Sequence, residues 1–177
     1  MRADELNEHL RQLRRRPLFE RDAARGVTIT GDAITRLLPH RPPFLFVDRI
    51  THVDLGASRL AGSRVVGLDD PAFAGHFPGR PVYPGVLQME MMGQHGLSLL
   101  ALMELGTTAV PVDAVPRDIR ALKVHHAVFA REVVPADQLE ILVGILDANT
   151  YTAIAAGQIL CREEICSFGV MEMYFAG

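Results

Sequence analysis

Residues 85–105, GVLQMEMMGQHGLSLLALMEL, form an almost uninterrupted apolar run between Pro84 and Gly106, and no other stretch limits the fold as strongly. Proline suits the start of a helix and glycine the position just past its end. The run therefore predicts one helix about 31 Å long, at ~1.5 Å per residue. Leu87, Met89, Met91, Met92, Leu97, Leu99, Leu100, Leu102 and Met103 cover most of its circumference. A helix apolar nearly all round is buried, so the rest of the chain has to surround it. It is too short, and too polar in its first half, to read as a membrane span.

The surrounding surface reads as β-structure. Strands are expected from Phe44 to about Val53 and over 58–67, 118–130, 138–147, 151–161 and 164–175, where Val, Ile, Leu, Phe and Tyr concentrate. Pro135-Ala136-Asp137, Asp147-Ala148-Asn149 and Arg162-Glu163-Glu164 look like tight turns between the later strands, which makes the pairing antiparallel. A short helix is expected over 31–38, with Asp32 as a possible N-cap and Pro39 closing it. The predicted class is α+β, an antiparallel β-sheet of five or six strands against one long central α-helix.

At 177 residues, 49% of them hydrophobic, the chain fits one globular domain. The division expected is a charged N-terminal extension, residues 1–26, and a body, residues 27–177. Leu6, Leu10 and Leu13 recur at helical spacing in the extension, and Arg14, Arg15 and Arg16 form a basic cluster. The expectation there is a solvated, partly ordered segment, with contact to a partner's acidic surface as the alternative. A net charge of −3 argues against a dedicated nucleic-acid binder. Cys161 and Cys166 make neither a disulfide framework nor a zinc site. With no secretory h-region and no membrane span, the expected compartment is the cytoplasm.

Two ionisable residues stand where they need a reason. Glu90 interrupts the apolar helix between Met89 and Met91, where a carboxylate is costly unless paired or protonated. A protonated carboxyl in such a place suits a general acid. Gln94, four residues on, shares its helix face and can orient it. His76 lies in GHFPG, a loop crowded with Gly and Pro that can aim a side chain at a ligand. The Gly85 N–H opens the helix at its positive end, a natural donor to a polarised carbonyl oxygen. A base, an acid and an oxyanion donor within one short segment suit proton abstraction beside a carbonyl with loss of a β-substituent. His125-His126 resembles a metal pair, but adjacent strand residues face opposite sides. His95 reads as core or interface, and His40 as a structural residue before the first strand.

GHFPGRPVYPGVLQMEMMGQ, with LLPHRPPFLFVDRI before it and FAREVVPADQLEI after it, resembles the 3-hydroxyacyl-[acyl carrier protein] dehydratases of the FabZ type, over roughly residues 31–175. The resemblance implies a hotdog fold and dehydration of a (3R)-3-hydroxyacyl thioester to the trans-2-enoyl thioester. It implies that His76 removes the α-proton, that Glu90 assists departure of the β-hydroxyl, and that Gly85 polarises the thioester carbonyl. Phe77, Pro78, Tyr83, Val86, Leu87 and Gln94 would then shape the site and its acyl tunnel. It further implies no metal or organic cofactor, an acyl carrier protein as the bearer of the substrate, and a homodimer sharing its sites, which can assemble as a trimer of dimers. Arg117, Arg120, Lys123, Arg131 and the 14–16 cluster are candidates for carrier docking. Tyr83, Met91, the Gly93-Gln94-His95 triplet and Ala136 depart from the usual pattern, which leaves both fatty-acid and polyketide or polyene substrates open. The alternatives are a non-catalytic or partner subunit of a heteromeric dehydratase and a hotdog thioesterase.

Overall fold

The computed structural model describes residues 3–175. Seven strands make one antiparallel sheet: β1 (Gly26–Thr30), β2 (Arg49–Asp54), β3 (Arg59–Val65), β4 (Ile119–Phe129), β5 (Gln138–Ala148), β6 (Thr152–Cys161) and β7 (Glu164–Phe175). Their order across the sheet is β1-β2-β3-β5-β6-β7-β4. Three α-helices accompany them: α1 (Ala3–Leu13), α2 (Asp32–Leu37) and α3 (Gly85–Leu105). The sheet wraps α3, which touches β3, β4, β5, β6 and β7, giving the hotdog arrangement of the α+β class. The helix occupies the span that its flanking Pro84 and Gly106 predict, and Gly106 ends it in the left-handed conformation at φ 66°, donating to the Met103 carbonyl.

Three local expectations need correction. The segment before β2 is not a strand, and pairing starts only at Arg49. Its backbone is served by a side chain instead: Gln94 Oε1 accepts from the Phe46 N–H and Gln94 Nε2 donates to the Phe44 carbonyl, at 2.7 and 2.9 Å. Asp32 is the first residue of α2 rather than its cap, which is Gly31 at φ 55° with no side-chain bond. And α3 is not buried all round. Val86 is 72% exposed, and Glu90, Gly93 and Leu97 are only partly covered. These four follow helical spacing and form one uncovered stripe.

Residues 3–25 lie on the sheet rather than extending from it. Along β6, Ala153 and Ala155 join the core around α3, while Ile154 and Ala156 face the opposite way. On that outer face they pack with Phe168 and Val170 against Leu6, Leu10 and Leu13 of α1. Phe19 is likewise buried, against Leu142, Leu160 and Ala61. The side chain of Gln158, fully buried in β6, fixes the chain in place. Its Nε2 donates to the carbonyls of Leu13 and Arg16, and its Oε1 accepts from the Leu18 N–H, at 2.7, 3.1 and 2.8 Å. Without these bonds the end of α1 would leave carbonyls unpaired over an apolar surface, which is costly. Arg14, Arg15 and Arg16 remain exposed on the far side.

Candidate active site

The loop before α3 is built to hold His76 still. Asp70 caps a short 3-10 turn, Pro71–Ala74, by accepting from the Ala72 N–H. Phe77 and Arg80 then exchange backbone hydrogen bonds around Gly79, whose φ of 78° favours glycine. The His76–Phe77 peptide bond is cis. His76 Nδ1 lies 2.8 Å from the Val82 carbonyl, which can only accept, so Nδ1 carries the proton and donates it. The neutral ring then presents Nε2 as a free lone pair, the form needed in a general base. Phe77 stacks on the ring at 4.1 Å between centroids and is itself exposed, as is Pro78.

Glu90 sits one turn into α3 on the uncovered stripe. Its side chain is 33% exposed, so the deep burial expected from the neighbouring methionines is not found in the single chain. The methionines turn inward while Glu90 faces a groove. Gln94 Nε2 donates to Glu90 Oε1 at 2.9 Å, and His40 Nε2 is 3.5 Å from the same oxygen. Glu90 Oε2 takes part in neither contact. Gln94 is fully buried, and its amide is oriented by the Phe44 and Phe46 backbone, so the tether to Glu90 has one geometry.

Gly85 is the first residue of α3, and its N–H has no intrahelical acceptor. A Cβ on Gly85 would stand 2.9 Å from carbons of the Phe129 ring, so only glycine fits beneath that side chain. His76 and Gly85 line a cavity of about 420 Å³. Glu90 lines another, of about 620 Å³, walled by Met89, Gly93, Leu97, Met171 and Met173. Val86 and Phe129 line both, as a partition. Within one chain, then, the predicted base and acid open into different cavities that share a wall.

The remaining predicted residues divide. Tyr83 is 1% exposed and packs edge-on against Phe73 beneath the loop, and its N–H donates to the Val133 carbonyl. Burial, with the Asp70 carboxylate nearby, pushes its phenol up to about 12. Leu87 packs toward the core and lines neither cavity. His40, read from the sequence only as structural, is brought to Glu90, and Phe129 was not anticipated. The HRPPF context of the first and the VF ending of a strand for the second carry no chemical signal of their own. His125 pairs with Glu172 at 3.0 Å and His126 stacks on Phe168, and both partners lie on the outer face of β7: the register shift between Val124 and His126 breaks the expected alternation and puts the two rings on one face. His95 is core, fully buried. Of the docking candidates, Arg120 lines the Glu90 cavity and pairs with Asp118, Arg117 pairs with Glu104, Arg131 pairs with Glu164, and Lys123 is exposed on β4. Among the described residues no helix is long and apolar enough to cross a membrane.

A sheet wrapped around one long helix, with a histidine loop at its N-terminus and a tethered glutamate one turn in, is a hotdog domain. The FabA-like domain family matches residues 38–167, and the chain belongs to that family. It is 41% identical over 140 residues to a protein of Anaeromyxobacter sp. (strain Fw109-5) named 3-hydroxyacyl-[acyl-carrier-protein] dehydratase FabZ, covering 75% of this chain and 85% of the relative. A relative of the same name from Xanthomonas campestris pv. campestris (strain B100) is 36% identical over 162 residues, covering 88% and 98%. Among solved structures, the dehydratase heterocomplex ApeI:P from Xenorhabdus doucetiae matches with a TM-score of 0.63 at 18% identity, over 81% of this chain and 91% of that one. That likeness is one of fold.

Proposed function

We propose that this chain is a dehydratase that converts a (3R)-3-hydroxyacyl thioester on acyl carrier protein to the trans-2-enoyl thioester, in the cytoplasm and in fatty-acid biosynthesis, with a polyketide or polyene chain as the alternative substrate. The observation that carries this reading is the pairing on one loop-helix unit of a histidine whose Nδ1–H is committed to Val82 and a glutamate whose Oε1 is committed to Gln94. His76 Nε2 takes the α-proton and the C–H electron pair forms the C2–C3 double bond. The β C–O bond breaks, and its oxygen leaves as water with a proton from Glu90. The Gly85 N–H stabilises the negative charge that builds on the thioester oxygen. No metal and no organic cofactor takes part.

Phe77, Pro78 and Val86 shape the entrance, Tyr83 and Leu87 support it from beneath, and Gln94 orients Glu90. The acyl chain lies in the methionine-walled cavity, and Arg120 at its rim faces the acidic carrier. The functional unit is a homodimer in which His76 of one subunit works with Glu90 of the other, with a trimer of dimers as the larger assembly. The edge strand β4 supports this. It is eleven residues long, and it exposes Leu122, Val124 and Phe129 beside an unpaired backbone edge. Such an edge asks for a partner strand. Residues 27–177 are the catalytic unit and residues 1–26 the N-terminal extension, whose described part covers the sheet.

The deciding experiment incubates the purified full chain with a 3-hydroxyacyl carrier protein and weighs the carrier-bound product. Loss of water is expected. Release of free carrier thiol would make the chain a thioesterase, and activity appearing only after a homologous subunit is added would make it a partner subunit.

A further inference from the structure

A cavity of about 720 Å³ lies on the opposite side of the sheet from α3, between the segment that follows α1 and the strands β2, β5 and β6. Dehydration uses none of it. At its base is His52. Ile50 and Val53 both belong to the core around α3, so simple alternation from Ile50 would turn His52 inward as well. The register shift between Ile50 and His52 turns the imidazole outward instead, as bulges re-aim side chains. Phe19 covers the ring at 5.6 Å between centroids. His52 is 4% exposed, and among the described residues neither ring nitrogen has a hydrogen-bond partner. A buried polar group that has lost water and gained nothing calls for an occupant.

The rest of the lining says what kind. Phe19 and the leucines of β5 and β6 give an apolar wall. Glu20, Asp22, Glu140 and Glu163 line it as four carboxylates with one guanidinium, Arg21, paired with Glu140 at 2.6 Å; beside the lining, Arg25 pairs with Asp54 and Arg59 lies over the Phe19 ring, which leaves the surroundings still net negative. The excess negative charge repels carboxylates, phosphates and a carrier-bound acyl chain. It favours a cation, and the volume is that of a small-molecule site.

We infer that this outer cavity is a binding site for a small organic cation, an ammonium group on a compact apolar or aromatic body, held between the His52 ring and the acidic rim. The body lies against Phe19 and the sheet, and the ammonium N–H groups reach the unprotonated ring nitrogen and the carboxylates. Burial holds the imidazole below the usual histidine range, so that acceptor is available at neutral pH. The occupant would touch both the N-terminal segment and the sheet.

Benzylammonium and benzoate, which share a ring and differ in charge, test this on the full chain. Titrations are followed by the ring resonances of His52 and His76, and by calorimetry. Benzylammonium is expected to shift His52 saturably and leave His76 unmoved, while benzoate shifts neither. Glu140→Gln should weaken binding about threefold or more, the scale of one partly exposed charge, and His52→Phe, which keeps the ring volume, should abolish it. No saturable shift at His52, equal shifts at His76, equal binding of benzoate, or unchanged binding in both variants would overturn the site.

Discussion

His76 and Val82 are joined twice: the ring Nδ1–H donates to the Val82 carbonyl at 2.8 Å, and the Val82 N–H donates to the His76 carbonyl at 2.9 Å. The imidazole thus has its tautomer and its direction set by the backbone of its own loop. Replacing His76 by Ala or Glu90 by Gln should each lower turnover at least about 10²-fold, the scale of general acid-base catalysis. Near-normal turnover in either variant would remove it from the mechanism. Mixing the two inactive proteins under conditions of subunit exchange should restore part of the activity, because in the proposed shared-site dimer a hybrid would regain one intact site. Exchange without recovery would place both groups within one subunit.

Gln94 has a different signature. It bonds Glu90 and also the Phe44 and Phe46 backbone, so Gln94→Leu leaves the buried Phe46 N–H and the partly buried Phe44 carbonyl unpaired. A stability loss of about 2 kcal/mol is expected from that alone, read from urea unfolding. The catalytic effect should be separate: kcat lowered about tenfold with KM little changed, since a wandering carboxyl affects the transition state more than binding. A variant that loses stability but keeps kcat would show that Gln94 supports the fold only.

His95 predicts how stability follows pH. Burial in the core lowers its pKa to about 4, with Nδ1 bonded to the Met91 carbonyl. The unfolded chain, whose histidines titrate near 6.5, therefore takes up a proton that the folded chain refuses. Stability from this group is complete above about pH 6.5 and falls as pH drops toward 4, by about 1.4 kcal/mol per unit. Denaturant unfolding at pH 7 and pH 5 should differ accordingly, and His95→Gln should flatten most of the difference. An unchanged slope in the variant would assign the effect elsewhere.

Much of this was legible in the sequence because it rests on short-range rules. The ends of α3 follow from Pro84 and Gly106, and β4 to β7 from alternating β-formers between turn residues. What escaped depends on contacts far apart in the chain. The segment around Phe44 has strand-like residues but gives its backbone bonds to Gln94, fifty positions away. Burial of Glu90 was overestimated because composition around a helix does not say which side the sheet leaves open. His40 gained a role only when folding carried it to Glu90. The same holds for α1: three leucines at helical spacing gave the helix, while the surface beneath it depends on alternate residues of β6.

Gln158 bears on how the gene product can be handled. All three of its hydrogen bonds go to main-chain atoms between Leu13 and Leu18, at a place where the sheet has no water to offer. A version cut back to the span shared with the family, residues 38–167, would lose β1, α2 and most of β7 as well as this covering. It would present an oily back surface with an amide stranded in its middle. The opening residues therefore act as the sheet's own upholstery, and expression work should begin from the whole chain.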